Sequence, residues 1–176
     1  MKYLIMLQIT QAETNEEFEA AKVLLREYAD FLKADLAEFA DLPWLMQYYE
    51  EFEEETANLP AGYEPPLGLI ILAIEDDQTA GMVTLGKLSE SKCEMRKLFV
   101  RESYRGKGIG RALCTTLIQK AKEIGYTHMR LFTSWKKPLK LYESLEFIQI
   151  SPYKYLPKEL NGVFMEKKLT RGSGET

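Results

Sequence analysis

Apolar residues recur at steps of three and four in three segments of the chain, and this pattern predicts three amphipathic helices. The first helix begins after Thr14, which stands three residues before Glu17 in the spacing of a capping box. The second begins near Pro43, and the third ends at Gly125, a residue type that commonly follows a helix in the left-handed conformation. Their apolar stripes are Phe18, Ala21, Leu25, Tyr28 and Leu32; Trp44, Leu45, Tyr48 and Phe52; and Ile109, Leu113, Leu117, Ala121 and Ile124. We expect the aromatic residues of the second stripe to belong to the core.

Runs of apolar and β-branched residues around these helices predict strands. The runs are Tyr3–Ile9, Leu67–Ile74, Gly81–Leu88, Cys93–Val100, Thr127–Thr133, Phe147–Ile150 and Gly162–Leu169, and a short helix is predicted at Pro138–Leu145. The segment Glu75–Gln78 suits a hairpin loop, although it lacks the glycine of the tightest turns. This order predicts one mixed α/β domain over residues 1–170 and a frayed tail at 171–176.

Composition narrows the class of protein. A chain of 176 residues with 45% hydrophobic residues can build the core of one domain. Its net charge of −4 argues against a general nucleic-acid binder. The two cysteines, Cys93 and Cys114, provide neither a disulfide framework nor a zinc motif, so we expect reduced thiols and no metal. The apolar run Tyr3–Leu7 is too short to span a membrane and lacks a cleavage site, which favours a cytoplasmic protein.

The most informative segment is a glycine-rich loop between a strand and a helix. Gly106, Gly108 and Gly110 allow successive N–H groups to converge, and the following helix adds free donors and the positive end of its dipole. Arg105, Lys107 and Arg111 supply cations at the same place. The alternative, a tight turn that binds nothing, does not account for strand, glycines and helix occurring together. The sequence therefore predicts a pyrophosphate site.

The known nucleotide motifs fit this loop poorly. The chain has no G-x-x-x-x-G-K-[ST] string, and the loop reads G-x-G-x-G where a dinucleotide fold has G-x-G-x-x-G. The next strand ends Phe132-Thr133-Ser134, without the acid that would hold a ribose. A nucleotide-binding module is therefore disfavoured.

The loop instead resembles a known family. Arg105–Gly110 matches the R/Q-x-x-G-x-G/A signature of the GNAT superfamily of N-acetyltransferases. Glu94–Val100 resembles the fourth strand of that family, Met129–Thr133 its fifth, and Leu141–Phe147 its following helix, usually L-Y-x-x-x-G-F. The resemblance implies a GNAT-like α/β (α+β) fold, in which helices flank a mixed, largely antiparallel sheet. It also implies that a parallel pair of strands splays apart to admit acetyl-CoA as co-substrate.

The resemblance also implies which residues hold the donor. The backbone of Leu98, Phe99 and Val100 would pair with the pantetheine arm. Arg105, Gly106, Lys107, Gly108, Ile109 and Gly110 would hold the pyrophosphate, with Arg111 beside them. Ser134 stands where many members have an asparagine that touches the cofactor, and it can offer a substitute contact. Lys136, Lys137 or Lys140 could meet a ribose phosphate, but a solvated helix start is the better interpretation.

Two residues match catalytic positions of the family. Tyr142 corresponds to the general acid, and a phenol with a pKa near 10 can protonate a departing thiolate; packing on the helix stripe is the alternative. Glu94 corresponds to a base in some members, and a solvent-facing glutamate is equally compatible with the sequence. His128 is better explained by surface or packing. A covalent route through Cys93 or Cys114 stays open but is less favoured than direct transfer from acetyl-CoA to an amine.

The acceptor is not identified by the motifs, which concern only the donor. The resemblance allows a small molecule or a peptide or protein amino terminus. One hypothesis is that the acidic series Glu50–Glu55 attracts a cationic amine. The alternative function is a non-catalytic acyl-CoA-binding regulatory module of the same fold. We expect no nucleic-acid and no membrane partner, and a homodimer stays open. Glu146, where the family usually has glycine, puts the geometry of the helix exit in question.

Overall fold

The structure is a computed structural model that describes residues 6–134 and 136–170, with the side chains of 136–138 left out. Its strands are β1 (Leu7–Gln11), β2 (Gly68–Glu75), β3 (Gln78–Lys87), β4 (Lys92–Val100), β5 (His128–Thr133), β6 (Ile148–Ile150) and β7 (Val163–Lys168). Its α-helices are α1 (Asn15–Asp35), α2 (Pro43–Ala57), α3 (Ile109–Ile124) and α4 (Lys136–Ser144), and 3-10 turns lie at Ala37–Phe39 and Glu102–Tyr104. None of the helices in the described part is long and apolar enough to cross a membrane.

These elements agree with the predicted order. The start of the first predicted strand, residues 3–5, and the tail at 171–176 lie outside the described residues. The strands form one sheet in the order β1-β2-β3-β4-β5-β7-β6, in which every neighbouring pair is antiparallel except β4 and β5. The predicted mixed, largely antiparallel sheet flanked by helices is therefore confirmed.

The parallel pair separates after three residues. Lys92, Cys93 and Glu94 of β4 pair with His128, Met129 and Arg130 of β5, and no further pair joins these two strands among the described residues. β4 nevertheless continues to Val100 beside β3, while β5 continues to Thr133 beside β7. The edge of β4 that faces β5 is thus left without a neighbouring strand beyond Glu94.

Apolar side chains pack on both faces of the sheet. On one face, α3 contributes Leu113 and Leu117 to a buried cluster that includes Cys93 and Met95 of β4. On the other face, α1 and Phe52 of α2 cover β2 and β3. Side chains alternate along a strand, so Glu94, which lies between Cys93 and Met95 on β4, points towards α1 and α2.

Three short features depart from standard sequence signals. Asp76 and Asp77 form the β2–β3 hairpin loop with φ of 49° and 61°, so two aspartates adopt the left-handed conformation that glycine usually provides. Lys97 has φ of 53° within β4, where the pairing with β3 shifts register. Glu146, two residues after the end of α4, has φ of 66°. The helix therefore ends in the left-handed conformation although glycine is absent.

Candidate active site

The end of β4, the glycine loop and the start of α3 line one side of a groove of about 790 Å³, which we call the loop groove. It lies where β4 and β5 have separated, and Phe31, Asp35, Tyr104 and Leu141 complete its walls. The predicted donor-binding residues that line it are Leu98, Phe99, Val100, Arg105, Gly106, Gly108, Ile109, Gly110, Arg111 and Ser134. The fold thus brings these predicted residues together.

The glycine loop is shaped to receive an anion. Gly106 and Gly108 have φ of 77° and 81°, and a Cβ built on either would meet no described atom within 4 Å, so both backbones face open space. The first helical hydrogen bond of α3 runs from the N–H of Ala112 to the carbonyl of Gly108, at 3.1 Å. The preceding N–H groups, at Ile109 to Arg111, therefore point out of the helix end, where they and the dipole favour a phosphate.

The three basic side chains near the loop have different surroundings. Arg105 lines the groove, and its Nε donates to the carbonyl of Val100 at 2.9 Å. Arg111 also lines it and donates to Ser144 at 2.6 Å. The ammonium of Lys107 instead pairs with Glu75 of β2 at 2.7 Å, and its side chain does not line the groove. Glu75 thus holds the predicted Lys107 cation away from the site.

A second cavity of about 370 Å³ lies on the α1–α2 face of the sheet, and we call it the aromatic cavity. Its aromatic walls are Tyr28 of α1, Trp44 and Tyr48 of α2, Phe132 of β5 and Tyr142 of α4. Asp35, Leu98 and Ser134 line both this cavity and the loop groove. A ligand in one space can therefore meet a ligand in the other at these residues.

Tyr142 is buried in the wall of the aromatic cavity, with 6% of its surface exposed. Its ring lies 6.0 Å from that of Phe147 in an edge-to-face arrangement. Burial raises the pKa of the Tyr142 phenol above its ordinary value of 10, with a smaller contribution from Cys114. The phenol therefore keeps its proton at neutral pH. The side chain both packs and lines a cavity, so the two sequence interpretations do not exclude each other.

Glu94 is only 1% exposed, so the alternative of a solvent-facing glutamate is wrong. Its carboxylate accepts hydrogen bonds from Arg96, from the Tyr153 hydroxyl at 2.5 Å and from Lys154 at 2.5 Å. Burial alone would raise the pKa of Glu94, but Arg96 and these two donors hold it below its ordinary value. Glu94 is therefore an ionised carboxylate with three partners.

The remaining candidates for chemistry lie away from both cavities. Cys93 and Cys114 are fully buried, and burial raises the pKa of each thiol to about 12. A thiol with this pKa supplies almost no thiolate at neutral pH, so the covalent route has no support from either cysteine. His128 hydrogen-bonds through Nδ1 to Thr127 and does not line either cavity.

The acidic series of α2 does not face the cavity as a group. Of its glutamates only Glu55 lines the aromatic cavity, and its carboxylate pairs with Lys97 at 2.6 Å. Glu53 pairs instead with Arg26 of α1 on the surface, at 2.9 Å. The hypothesis that Glu50–Glu55 jointly attract a cationic amine is therefore not supported by this geometry.

The sequence interpretation missed several residues of the aromatic cavity. Trp44, Tyr48 and Phe52 are expected in the core. This is wrong for Tyr48, which is 37% exposed, whereas Phe52 is 3% exposed. Trp44 is partly buried, and it lines the cavity together with Tyr48. Their helical spacing identifies the inward face of α2 but does not reveal whether that face meets packed atoms or a void. Arg96 and Lys154 also line the cavity, and no motif marks them.

Comparisons with known proteins agree with this geometry. The family model described as "Acetyltransferase (GNAT) family" matches residues 24–147. An uncharacterized N-acetyltransferase of Schizosaccharomyces pombe is 27% identical, with 94% of this chain and 96% of that protein covered. A GNAT-family acetyltransferase structure from Staphylococcus aureus has a TM-score of 0.69 at 20% identity, covering 94% and 100% of the two chains. The PaiA N-acetyltransferase of Thermoplasma acidophilum, in complex with coenzyme A, has a TM-score of 0.65 at 18% identity, covering 93% and 99%.

Proposed function

The chain belongs to the GNAT family of acetyltransferases, and we propose that it transfers the acetyl group of acetyl-CoA directly to a primary amine. The acceptor would be a small molecule or the amino terminus of a peptide or protein. The observation that carries the proposal is the meeting of two cavities at Leu98 and Ser134, beside the separated strands. One cavity suits a phosphate-bearing donor, and the other suits a separate acceptor.

The residues of the loop groove fit the donor. The open backbone at Gly106 and Gly108 and the free N–H groups of α3 suit a pyrophosphate, and Arg105 and Arg111 add positive charge. Beyond Glu94, β4 offers an edge whose polar groups can pair with the amides of an extended arm. When bound, acetyl-CoA supplies an acetyl thioester, from which coenzyme A leaves as a thiol once an amine has attacked.

Two groups of the chain act on the reacting atoms in this proposal. N–H groups on the open edge of β4, near Leu98, donate hydrogen bonds to the carbonyl oxygen as negative charge develops there. Tyr142 is protonated at neutral pH and gives its proton to the sulfur as negative charge develops there. Burial makes the phenol a weaker acid than tyrosine in water, so the proton moves together with the departure of the sulfur. The nitrogen that attacked releases one proton to solvent as the amide forms, and the phenol regains one proton from solvent, so the net products are the amide and the thiol.

Glu94 as the base stays a prediction. Its carboxylate already accepts three hydrogen bonds, and its lowered pKa makes it a weak acceptor for the proton of an ammonium group. These surroundings favour a positioning role, in which Glu94 orients Arg96 and Lys154 towards the aromatic cavity. In that case the acceptor would lose its proton to water before it attacks.

Direct transfer is favoured over an acyl-enzyme because both thiols are buried away from the cavities. Direct transfer requires both substrates to be bound together, which the shared residues of the two cavities permit. A non-catalytic acyl-CoA-binding module is the second candidate. Tyr142 in the cavity wall favours catalysis over that candidate, since a binding module needs no proton donor at this place.

The test is thiol release from acetyl-CoA across a panel of amino acids, peptides, polyamines and aminoglycosides, with coenzyme A binding followed by calorimetry. We expect coenzyme A to bind and at least one class of amine to release thiol. Binding without release from any amine would favour the non-catalytic module. Absence of binding would overturn the assignment of the loop groove.

A further inference from the structure

Two cations in the wall of the aromatic cavity share a single carboxylate. Glu94 pairs with the Nε of Arg96 and with the Nζ of Lys154, the latter at 2.5 Å. Both cationic side chains are about two-fifths exposed, at 40% and 41%, while the Glu94 side chain is 2% exposed. The carboxylate is therefore covered, and of these three groups the two cations are the ones that a ligand in the cavity meets.

The charges next to this trio do not restore neutrality. Arg130 and Glu166 neutralise each other at 2.5 Å, and Lys97 pairs with Glu55 in the same way at 2.6 Å. The trio of Glu94, Arg96 and Lys154 thus keeps one excess positive charge at the cavity wall. Asp35 supplies a negative charge elsewhere, at the junction with the loop groove.

The guanidinium of Arg96 is held in place, and its two terminal nitrogens remain available to a ligand. Its Nε is used by Glu94, whereas Nη1 and Nη2 make no hydrogen bond to any residue in the described part of the chain. Gly86 of β3 provides the space: a Cβ built there would lie 2.5 Å from Nη1 and 2.7 Å from Cζ. A side chain at position 86 would displace the guanidinium. Two free N–H edges, preorganised in this way, match a carboxylate.

We propose, on the basis of the proposed function, that the acceptor amine carries a carboxylate which binds Arg96 and Lys154. The acceptor is a small amino acid-type molecule whose apolar part lies against Trp44 and Tyr48. The cavity volume of about 370 Å³, at the small end of ligand pockets, favours a small acceptor.

The experiment uses matched acceptors that differ only at the carboxylate. Thiol release from acetyl-CoA is measured with alanine, methionine and phenylalanine, with their primary amides, and with the corresponding amines that lack the carboxylate. Rates are expressed per free base, because the three groups of compounds differ in amine basicity. For the unmodified protein we expect kcat/KM to be at least about tenfold higher for the best amino acid than for its amide.

Variants then test whether Arg96 and its contacts cause the preference for acceptors with a carboxylate. Arg96→Gln should reduce kcat/KM for amino acids by about tenfold or more and should affect the carboxylate-free amines much less. Thermal unfolding without ligand checks that the variant is folded. Arg96→Lys should recover part of the lost kcat/KM, because lysine restores the positive charge but not the paired terminal nitrogens of a guanidinium. Gly86→Ala should act like Arg96→Gln, since the new methyl group displaces the guanidinium. Arg26→Gln, at a surface pair with Glu53, is the control.

Two outcomes would overturn the inference. Equal or better turnover of the amides and simple amines would remove the carboxylate from recognition and leave the proposed function intact. An unchanged preference for amino acids in Arg96→Gln and Gly86→Ala would show that Arg96 and Gly86 take no part in recognising the carboxylate. Failure of every amine to release thiol would instead defeat the proposed function, and this inference with it.

Discussion

The glycine loop allows a test in which backbone strain and ligand binding are separated. Gly108 and Gly62 have nearly the same φ, 81° and 83°, and a Cβ at either would meet no described atom within 4 Å. Gly108 lines the loop groove, whereas Gly62 lies in the turn between α2 and β2, outside both cavities. Alanine at either position should therefore strain the backbone equally, and only one of the two methyl groups should enter the groove.

The expected sizes follow from the geometry. A residue other than glycine in the left-handed region costs about 1–2 kcal/mol. In a domain of 176 residues this corresponds to a fall in Tm of roughly 2–8 °C for both Gly108→Ala and Gly62→Ala. At Gly108 the methyl group also keeps a phosphate from its N–H donors. Loss of one charge-assisted hydrogen bond, worth about 1.5–3 kcal/mol, weakens coenzyme A binding by roughly 10- to 150-fold.

The assays are calorimetric titration with coenzyme A and thermal unfolding of both variants without ligand. Gly62→Ala should lose stability but keep its affinity for coenzyme A, and Gly108→Ala should lose both. An unchanged affinity for coenzyme A in Gly108→Ala would refute the assignment of the loop as the phosphate site. An equal loss of affinity in both variants would show that the loss comes from reduced stability and not from the groove.

Three further predictions concern the proposed chemistry. Tyr142→Phe should lower kcat by about 10²–10⁴ while coenzyme A affinity stays constant, with the exposed Tyr155→Phe as control; an unchanged kcat would exclude Tyr142 as the acid. The folded pKa of Glu94 lies below its ordinary value of 4.5. Ionisation of Glu94 therefore adds to the free energy of unfolding above pH 4.5, and this contribution is lost as the pH falls through the folded pKa. The difference in urea unfolding free energy between the native protein and Glu94→Gln should thus shrink on acidification, and a constant difference would contradict the ion pairing. The buried thiols of Cys93 and Cys114 should resist iodoacetamide at pH 8 with activity retained, so rapid inactivation by modification of either would revive the covalent route.

Much of the fold could be predicted from the sequence because its signals are local. The capping box is present as expected, with the Thr14 N–H donating to Glu17 at 2.9 Å and the Glu17 N–H donating to Thr14 at 3.2 Å. α3 runs from Ile109 to Ile124 and is followed by Gly125 at φ of 110°, as its apolar stripe and glycine indicate. Such features depend on neighbours within a few residues, so a pattern along the chain is enough to find them.

The left-handed conformation of Lys97 was not foreseeable in the same way. Lys97 takes φ of 53° within β4, and lysine rarely adopts this region, so its residue type gives no warning. At Lys97 the surroundings compensate: its ammonium pairs with Glu55 and lies 4.6 Å from the centre of the Phe52 ring. These partners are distant in sequence, and a pattern along one chain does not bring them together.

The same distinction between neighbouring and distant residues applies to the two cavities of the candidate site. The loop groove is built mainly from the consecutive stretch between Leu98 and Arg111, so a motif could identify it. The aromatic cavity draws on α1, α2, β4, β5, α4 and the segment before β7, and Lys154 joins Glu94 from 60 positions away. Which apolar stripe faces a void is decided by how these elements pack together, and it cannot be predicted from periodicity alone.

The early separation of β4 from β5 has a consequence for hydrogen exchange. Beyond the pair Glu94 and Arg130, the amides of β4 that point towards β5 have no strand partner in the described chain, while those that point towards β3 are paired. Without ligand, β4 should therefore exchange with deuterium in an alternating pattern, fast at one residue and slow at the next, on either side of the register shift beside Lys97. In the proposed function a bound pantetheine arm would take the place of the missing strand, so coenzyme A should slow exchange at the fast amides selectively. The donor would thus complete the sheet.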